Sequence, residues 1–417
     1  MSEQSEASVR AEVRGWLEEN WSPDQSLIEW RTLLADSGWG CPTWPKEWCG
    51  RDLSEPLAEV VRAEFESIGA IGVAQGGGTA LAAVTLLEHG SDVQKSALLR
   101  PILTGEDTWC QLFSEPGSGS DLAGLTTRAE RNGDEYVLNG QKLWTTSAHH
   151  ARYGMLLART NWDVPKHQGI TYFAVEMKQP GVEVRGLRQM NGHASFNEVF
   201  FTNARVSHAN VIGEVDRGWP VALTTLAHER RMADGLRSMV RGAAGEGRIF
   251  DEYRSEVASV MEPYKWYPQR AGRADLVVQR ARETGRIADP GVRQAIAKVL
   301  ILARTSEWTA KRAKAARNLG RTPGPEGSLG KLAASHVARA AADAHALISD
   351  SDALLTGPDS PMGGVVAEVL VSVPAVSIAG GTDEIQRNII SERVLGLPKE
   401  PGMDAGRPFR DVPRNLA

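Results

Sequence analysis

Residues 111–146 read QLFSEPGSGSDLAGLTTRAERNGDEYVLNGQKLWTT, a stretch that opens in a Gly/Ser/Pro loop and closes on Trp144-Thr145-Thr146. Its loop, Ser114-Glu115-Pro116-Gly117-Ser118-Gly119-Ser120-Asp121, carries three hydroxyls, two glycines and two carboxylates in eight residues. Glycine lets backbone approach a ligand closely, and serine supplies donors that can be aimed at one. After the loop, residues 135–146 alternate in polarity and read as two short strands around an Asn139-Gly140 turn. A loop of donors followed by an aromatic–hydroxyl strand end is the expected place for a bound cofactor. The plain alternative is a connection between hydrophobic runs.

The rest of the chain sets the frame for this stretch. With 417 residues, 41% hydrophobic and 24% charged, it matches ordinary globular composition, and its length calls for two or three domains. A net charge of -5 offers no excess positive charge for a nucleic-acid backbone. No stretch reads as a signal peptide or a membrane span, so the expectation is a cytoplasmic protein without membrane insertion. Cys41, Cys49 and Cys110 have no metal-site spacing, and no metal is expected; they read as structural thiols.

Apolar positions at helical spacing fill residues 5–36, 55–69, 79–87 and 92–103, interrupted by the Trp/Pro/Gly-rich stretch 38–54 and by Gly76-Gly77-Gly78. That triple glycine either cradles a ligand or lets two elements approach. From Trp109 the texture becomes β-branched and aromatic, with strands expected near 153–158, 170–177, 181–187 and 199–206. Beyond Gly213 the helical period returns, broken at 262–268 and at 321–327. The expectation is three domains: helical 1–108, β 109–214 and helical 215–417, with an extended, mobile tail from Lys399.

FSEPGSGSD and NGQKLWTT, some twenty residues apart, resemble the middle domain of the acyl-CoA dehydrogenase family of flavoenzymes. The helical–β–helical order and the stretch IAGGTDEIQRNIISERVLGL at 378–397 extend the resemblance over nearly the whole chain. It implies an α+β multidomain fold: a helical domain, a β-barrel-like middle domain and a C-terminal four-helix bundle. It further implies that Gln111, Phe113, Ser114, Trp144 and Thr146 contact FAD, that Thr382 and Glu384 are flavin contacts, and that Ser120 touches the CoA portion. Arg293-Gln294 resembles a further cofactor contact. For 381–384 the residues themselves also make a capped helix start, and the two readings are compatible.

Family chemistry removes a proton from the α carbon of an acyl-CoA while a hydride leaves the β carbon, so a carboxylate is required. In many members that carboxylate directly precedes the Gly-Thr of the C-terminal signature, but here the position is Gly380, which has no side chain. Members similar to isovaleryl- and long-chain acyl-CoA dehydrogenases carry the base instead on the first long helix of the C-terminal domain. In this chain that helix holds Trp219, Ala222, Leu226, Glu229, Ala233, Leu236 and Val240 at spacings of three and four, which puts Glu229 in an apolar stripe. Such a carboxylate must pair, protonate or act. It is either the base or a partner of His228, Arg230 or Arg231. Arg230 aligns with a family arginine near the substrate, and Gly380 leaves room for a branched, cyclic or long acyl group.

Two family stretches that bind FAD from a neighbouring subunit are poorly matched by 282–286 and 354–359. The basic run Lys311, Arg312, Lys314, Arg317 and Arg321 reads as a solvated face. The reading is an FAD-dependent acyl-CoA dehydrogenase that passes electrons to an electron-transfer flavoprotein and associates with itself or with a homologous subunit. Alternatives are a flavin monooxygenase or oxidase on the same scaffold, a weakly catalytic partner subunit of a hetero-oligomer, and a protein that holds an acyl-CoA without reaction.

Overall fold

A computed structural model describes residues 5–399 except 319–325, together with 401, 402, 404 and 406–413; the side chains of 230–238, 317, 318 and 326 lie outside the description. The interruption expected at 321–327 and the end of the basic run therefore fall largely outside the described residues. Two compact units are present: residues 1–187, 194–263 and 404–417 form one, and 188–193 with 264–403 the other.

The first unit opens with helices α1 (Glu6–Asn20), α2 (Leu27–Ser37), α3 (Glu55–Ile68), α4 (Val84–His89) and α5 (Asp92–Thr104). Their ends are written in local chemistry. The Ser5 side chain caps α1, Ser26 with Glu29 and Ser91 with Gln94 form reciprocal capping boxes, and α2 stops at Gly38 with φ 75°. Val9, Val13 and Leu17 recur every four residues and bury one face of α1 against Trp30, Leu34 and Phe65. The triple glycine leads into a π-helical turn, Gly78–Ala83. A Cβ at Gly77 would stand 3.1 Å from the Trp109 carbonyl oxygen, so these glycines let the helix approach the first strand.

That strand is β1 (Trp109–Leu112), followed by β2 (Arg128–Asn132), β3 (Glu135–Thr146), β4 (Tyr153–Arg159), β5 (Ile170–Glu176), β6 (Val182–Leu187), β7 (Phe196–Ser207) and β8 (Val211–Ile212). The sheet runs β6-β7-β3-β2-β4-β5-β8, and β1 pairs in parallel with β4. Residues 154–159 of β4 are buried on both faces, Met155 and Leu157 toward one core and Leu156 and Ala158 toward another. One local expectation fails: β3 is continuous through Asn139-Gly140. The hairpin turns instead at Gly133, φ 64°, between β2 and β3. Gly140 serves a close approach, because a Cβ there would lie 2.6 Å from Thr127 Oγ1, and the Asn139 side-chain oxygen accepts the Asn203 amide at 2.9 Å.

Helices α6 (Gly218–Gly242) and α7 (Arg248–Met261) complete this unit. Met239, Ile249, Phe250 and Tyr253 join the core of the N-terminal helices. The tail expected to be mobile from Lys399 returns to the same unit, where Phe409 is 1% exposed. An aromatic flanked by Pro408 and by charges at 407, 410 and 411 gave no helical or strand period to signal that burial.

In the second unit α8 (Tyr267–Arg270), α9 (Val277–Glu283), α10 (Pro290–Asn318), α11 (Glu326–Ser349), α12 (Val365–Ser372) and α13 (Asp383–Arg393) pack as helices. Val277 and Ala281, then Val292, Ile296 and Val299, meet Ala340, Ala341, Ala344 and Ile348. Alanine on that face of α11 permits close helix approach.

Candidate functional site

The loop and strand end of 111–146 are fastened together from below. Lys142 is fully buried, and its Nζ donates to the Phe113 carbonyl at 3.0 Å and to Glu115 Oε1 at 2.8 Å. Glu115 also accepts the amides of Thr126 (2.7 Å) and Thr127 (2.8 Å) and the Thr126 hydroxyl. Burial alone would push the Glu115 carboxyl up, but the Lys142 charge and these donors outweigh it and bring it down to about 2. The Leu143 amide adds a bond to the Ser114 carbonyl at 2.9 Å. Sequence reading passed over this pair, although a Lys on the inward side of a strand two residues before an exposed Trp is its only local signal.

Rigidity below allows an unusual geometry above. Trp144 sits at φ 62°, a left-handed conformation that a bulky residue rarely adopts, where the β3–β7 register shifts between Lys142 and Thr145. The shift turns its ring outward, 53% exposed, with Phe196 edge-on at 5.7 Å. Thr146 and Ser114 are half-buried, whereas Phe113 is buried edge-to-face against Tyr172. Ser120 is exposed on the loop.

Gln111, half-buried on β1, directs its side-chain amide at Glu229 of α6, with Nε2 3.4 Å from Oε2. Glu229 is half-buried rather than sealed. Among the described side chains of its helix Val221, Ala222, Thr225 and Met239 are buried, whereas Val240, expected in the same stripe, is 49% exposed. A helix of 25 residues turns its face with position, and near its end the buried residue is Met239 rather than Val240. Arg230, Ala233 and Leu236 have side chains outside the described residues.

The remaining candidates belong to the second unit. Thr382 caps α13 by accepting the Ile385 amide at 3.2 Å, and Glu384 in its first turn is exposed beside Arg387. Gly380 has φ 67°, and a Cβ there would lie 3.8 Å from Lys331 Cε. Arg293 and Gln294 are exposed in the first turn of α10, whose start is capped by Asp289.

Among the described residues no group of three His, Cys, Asp or Glu could hold a metal, and no helix is long and apolar enough to cross a membrane. Cys41, Cys49 and Cys110 are free thiols, and burial pushes Cys110 up to about 12. The residues present do suit a flavin. An outward indole at the strand end, with half-buried hydroxyl residues at 146 on the same strand and at 114 on the loop fastened to it, offers a flat apolar surface and donors to a planar heteroaromatic ring.

Comparison with known proteins agrees along the chain. Acyl-CoA dehydrogenase N-terminal, middle and C-terminal domains match residues 2–106, 110–204 and 271–395. Helix α6, with Glu229, lies between the last two matches. Acyl-CoA dehydrogenase IpdE1 of Mycobacterium tuberculosis (strain ATCC 25618 / H37Rv) is 32% identical over 414 residues, 94% of this chain and 97% of the relative. Acyl-CoA dehydrogenase FadE34 of the same organism is 35% identical over 375 residues, 88% of this chain; those residues span only 46% of the longer relative. Among solved structures, the Tcur3481-Tcur3483 steroid ACAD has a TM-score of 0.63 at 26% identity, covering 95% of this chain and 97% of that one. This chain is thus a member of the acyl-CoA dehydrogenase family, oxidoreductases that are generally FAD-dependent.

Proposed function

We propose that the protein is an FAD-dependent dehydrogenase that makes an α,β-double bond in an acyl-CoA thioester, with Glu229 as the base. The observation that carries this reading is the meeting of Gln111 and Glu229 beside the strand that leads to the Ser114–Trp144 surface. Glu229 takes the α proton as the Cα–H bond breaks, and the pair of electrons forms the new double bond as hydride leaves the β carbon. FAD, when bound, supplies the acceptor for that hydride. Gln111 donates to the carboxylate and fixes its direction, which matters because proton transfer needs hydrogen-bond reach. Trp144 gives the ring a flat partner, Ser114 and Thr146 its edge donors, and Ser120 a hydroxyl for the CoA portion. Thr382, Glu384, Arg293 and Gln294 are assigned to the cofactor, and Arg230 to the substrate, on the family resemblance.

The acyl group is bulky in this reading. Gly380 puts no side chain at its position, and the steroid ACAD is a relative by fold and at 26% identity. That protein's name also joins two components, which favours a homologous subunit as partner over a lone chain. An electron-transfer flavoprotein is the proposed electron acceptor. The test is an anaerobic spectrum of the purified protein, alone and with the homologous subunit, before and after a panel of ring-bearing, branched and straight acyl-CoAs. Bleaching of the flavin bands by a ring-bearing thioester is expected. Protein that binds FAD but bleaches with none of the panel, or that turns over only with oxygen, would overturn the dehydrogenase reading.

A further inference from the structure

Asp404 and residues 406–413 return to the first unit and close over the connection between β4 and β5. The Phe409 amide donates to the Val164 carbonyl at 2.9 Å and the Arg410 amide to that of Trp162 at 3.0 Å. The Phe409 ring covers the Arg159 guanidinium at 3.5 Å. Arg159, fully buried, donates to the carbonyls of Ala123 (2.6 Å) and Leu125 (3.1 Å). Lys166 in turn bridges Asp121 at 2.9 Å and Asp404 at 2.5 Å. Two cations, Arg159 at the end of β4 and Lys166 in the connection that follows, therefore hold the loop 121–125 on one side and the returning segment on the other.

Ser120 immediately precedes this clamped loop. We propose that Asp404 and the segment around Phe409, acting through Lys166 and Arg159, position the loop that presents Ser120 to the CoA portion of the substrate. The ligand half of this inference rests on the function proposed above; the coupling between segment and loop does not. Asp121 is 62% exposed at its side chain, so Lys166 at 16% gives that carboxylate a far more enclosed partner than solvent would. An exposed ion pair alone contributes little. Here one ammonium closes a bridge between two carboxylates, and the cation beside it is sealed under an aromatic ring, so loosening one arm frees the loop.

The test uses the full chain with Asp404→Asn, Lys166→Met and Phe409→Ala, and Lys166→Arg as the conservative control. Amide hydrogen exchange is followed across 117–126 and, as reference, in β4 and β5. Free coenzyme A binding is titrated by calorimetry, and flavin content is measured. Exchange in 117–126 should rise several-fold in Asp404→Asn and Lys166→Met with β4 and β5 unchanged, and return toward wild type in Lys166→Arg. The dissociation constant for coenzyme A should rise roughly 3- to 10-fold, with flavin content kept. Phe409→Ala should show the larger loosening, and Asp404→Asn remains informative if that variant fails to fold. Unchanged exchange in 117–126, or a uniform rise over the whole sheet, overturns the coupling. Loosened exchange in a protein whose wild type binds no coenzyme A overturns the substrate assignment of Ser120 while the coupling stands.

Discussion

Glu229 Oε2 lies 3.4 Å from Gln111 Nε2, joining the first long helix after the sheet to the first strand of the sheet across 118 residues of sequence. The separation is longer than the usual hydrogen bond of about 2.7–3.2 Å, as is common for catalytic groups before substrate arrives. Glu229→Gln preserves shape and hydrogen bonding but cannot accept a proton. Flavin content and acyl-CoA binding should persist, and flavin reduction should slow by about 10²–10⁴-fold. Gln111→Leu should slow it less, because the carboxylate remains and only its direction is lost. Stopped-flow reduction rates decide this; near wild-type reduction in Glu229→Gln removes Glu229 from the mechanism.

The Lys142–Glu115 pair is expected to matter more for stability than any surface ion pair of the chain. Lys142→Met leaves the buried Glu115 carboxylate without its counter-charge, held only by the Thr126 and Thr127 donors, and should cost about 3–5 kcal/mol. Lys142→Met with Glu115→Gln should cost much less than the sum of the single changes. The sign with pH follows from the depressed carboxyl: its contribution is complete above the unfolded-state value near 4.5 and is lost as pH falls toward about 2. The gap between the denaturant midpoints of wild type and Glu115→Gln should therefore narrow steadily as pH falls from 4.5 toward about 2. A gap that stays constant over that interval rejects the assignment.

The same pair marks where sequence reading stops. Helix spans with serine caps and strands with alternation were legible because their causes lie within a few residues: Ser26 and Glu29 are three apart, and Tyr136 and Leu138 share a face. Lys142 and Glu115 are 27 residues apart, so no period links them. Asn139-Gly140 has the residue types of a tight turn, but the approach of Thr127 uses the missing side chain instead. Phe409 sits in a proline- and charge-rich tail and packs on Arg159 and Trp162, far off in sequence. Motif residues such as Trp144 were legible as a group, whereas the left-handed backbone that turns its ring outward was not.

One turn before Glu229, the Thr225 hydroxyl is buried 2.9 Å from that of Thr85 and 3.2 Å from that of Tyr172. These three groups tie α6 to α4 and β5. Thr225→Val keeps the volume but removes one partner from each of two buried hydroxyls, Thr85 keeping the Leu81 carbonyl at 2.7 Å, at about 1 kcal/mol or more. Thr225→Ser should retain most of the stability. Urea midpoints for the two variants should differ clearly; equal values would mean that the network does not fix the helix.

Trp144 supplies the last prediction, because its backbone and its ring pull in opposite directions. A left-handed conformation costs a bulky residue roughly 1–2 kcal/mol, and glycine would adopt it freely. Against that, Trp144→Gly loses the edge-on contact with Phe196, about 0.5–1.5 kcal/mol. The two terms nearly cancel, so the flavin-free protein should unfold within about 1 kcal/mol of wild type. Its affinity for FAD should nevertheless fall more than about tenfold, since the flat partner of the ring is gone. Trp144→Phe should keep both stability and most of the affinity. Strain retained at a residue that contributes nothing net to the fold is expected where the residue serves a ligand. Fluorescence titration with FAD and a denaturant series on the same three proteins separate the terms. If Trp144→Gly binds FAD as tightly as wild type, the indole is not the cofactor's platform.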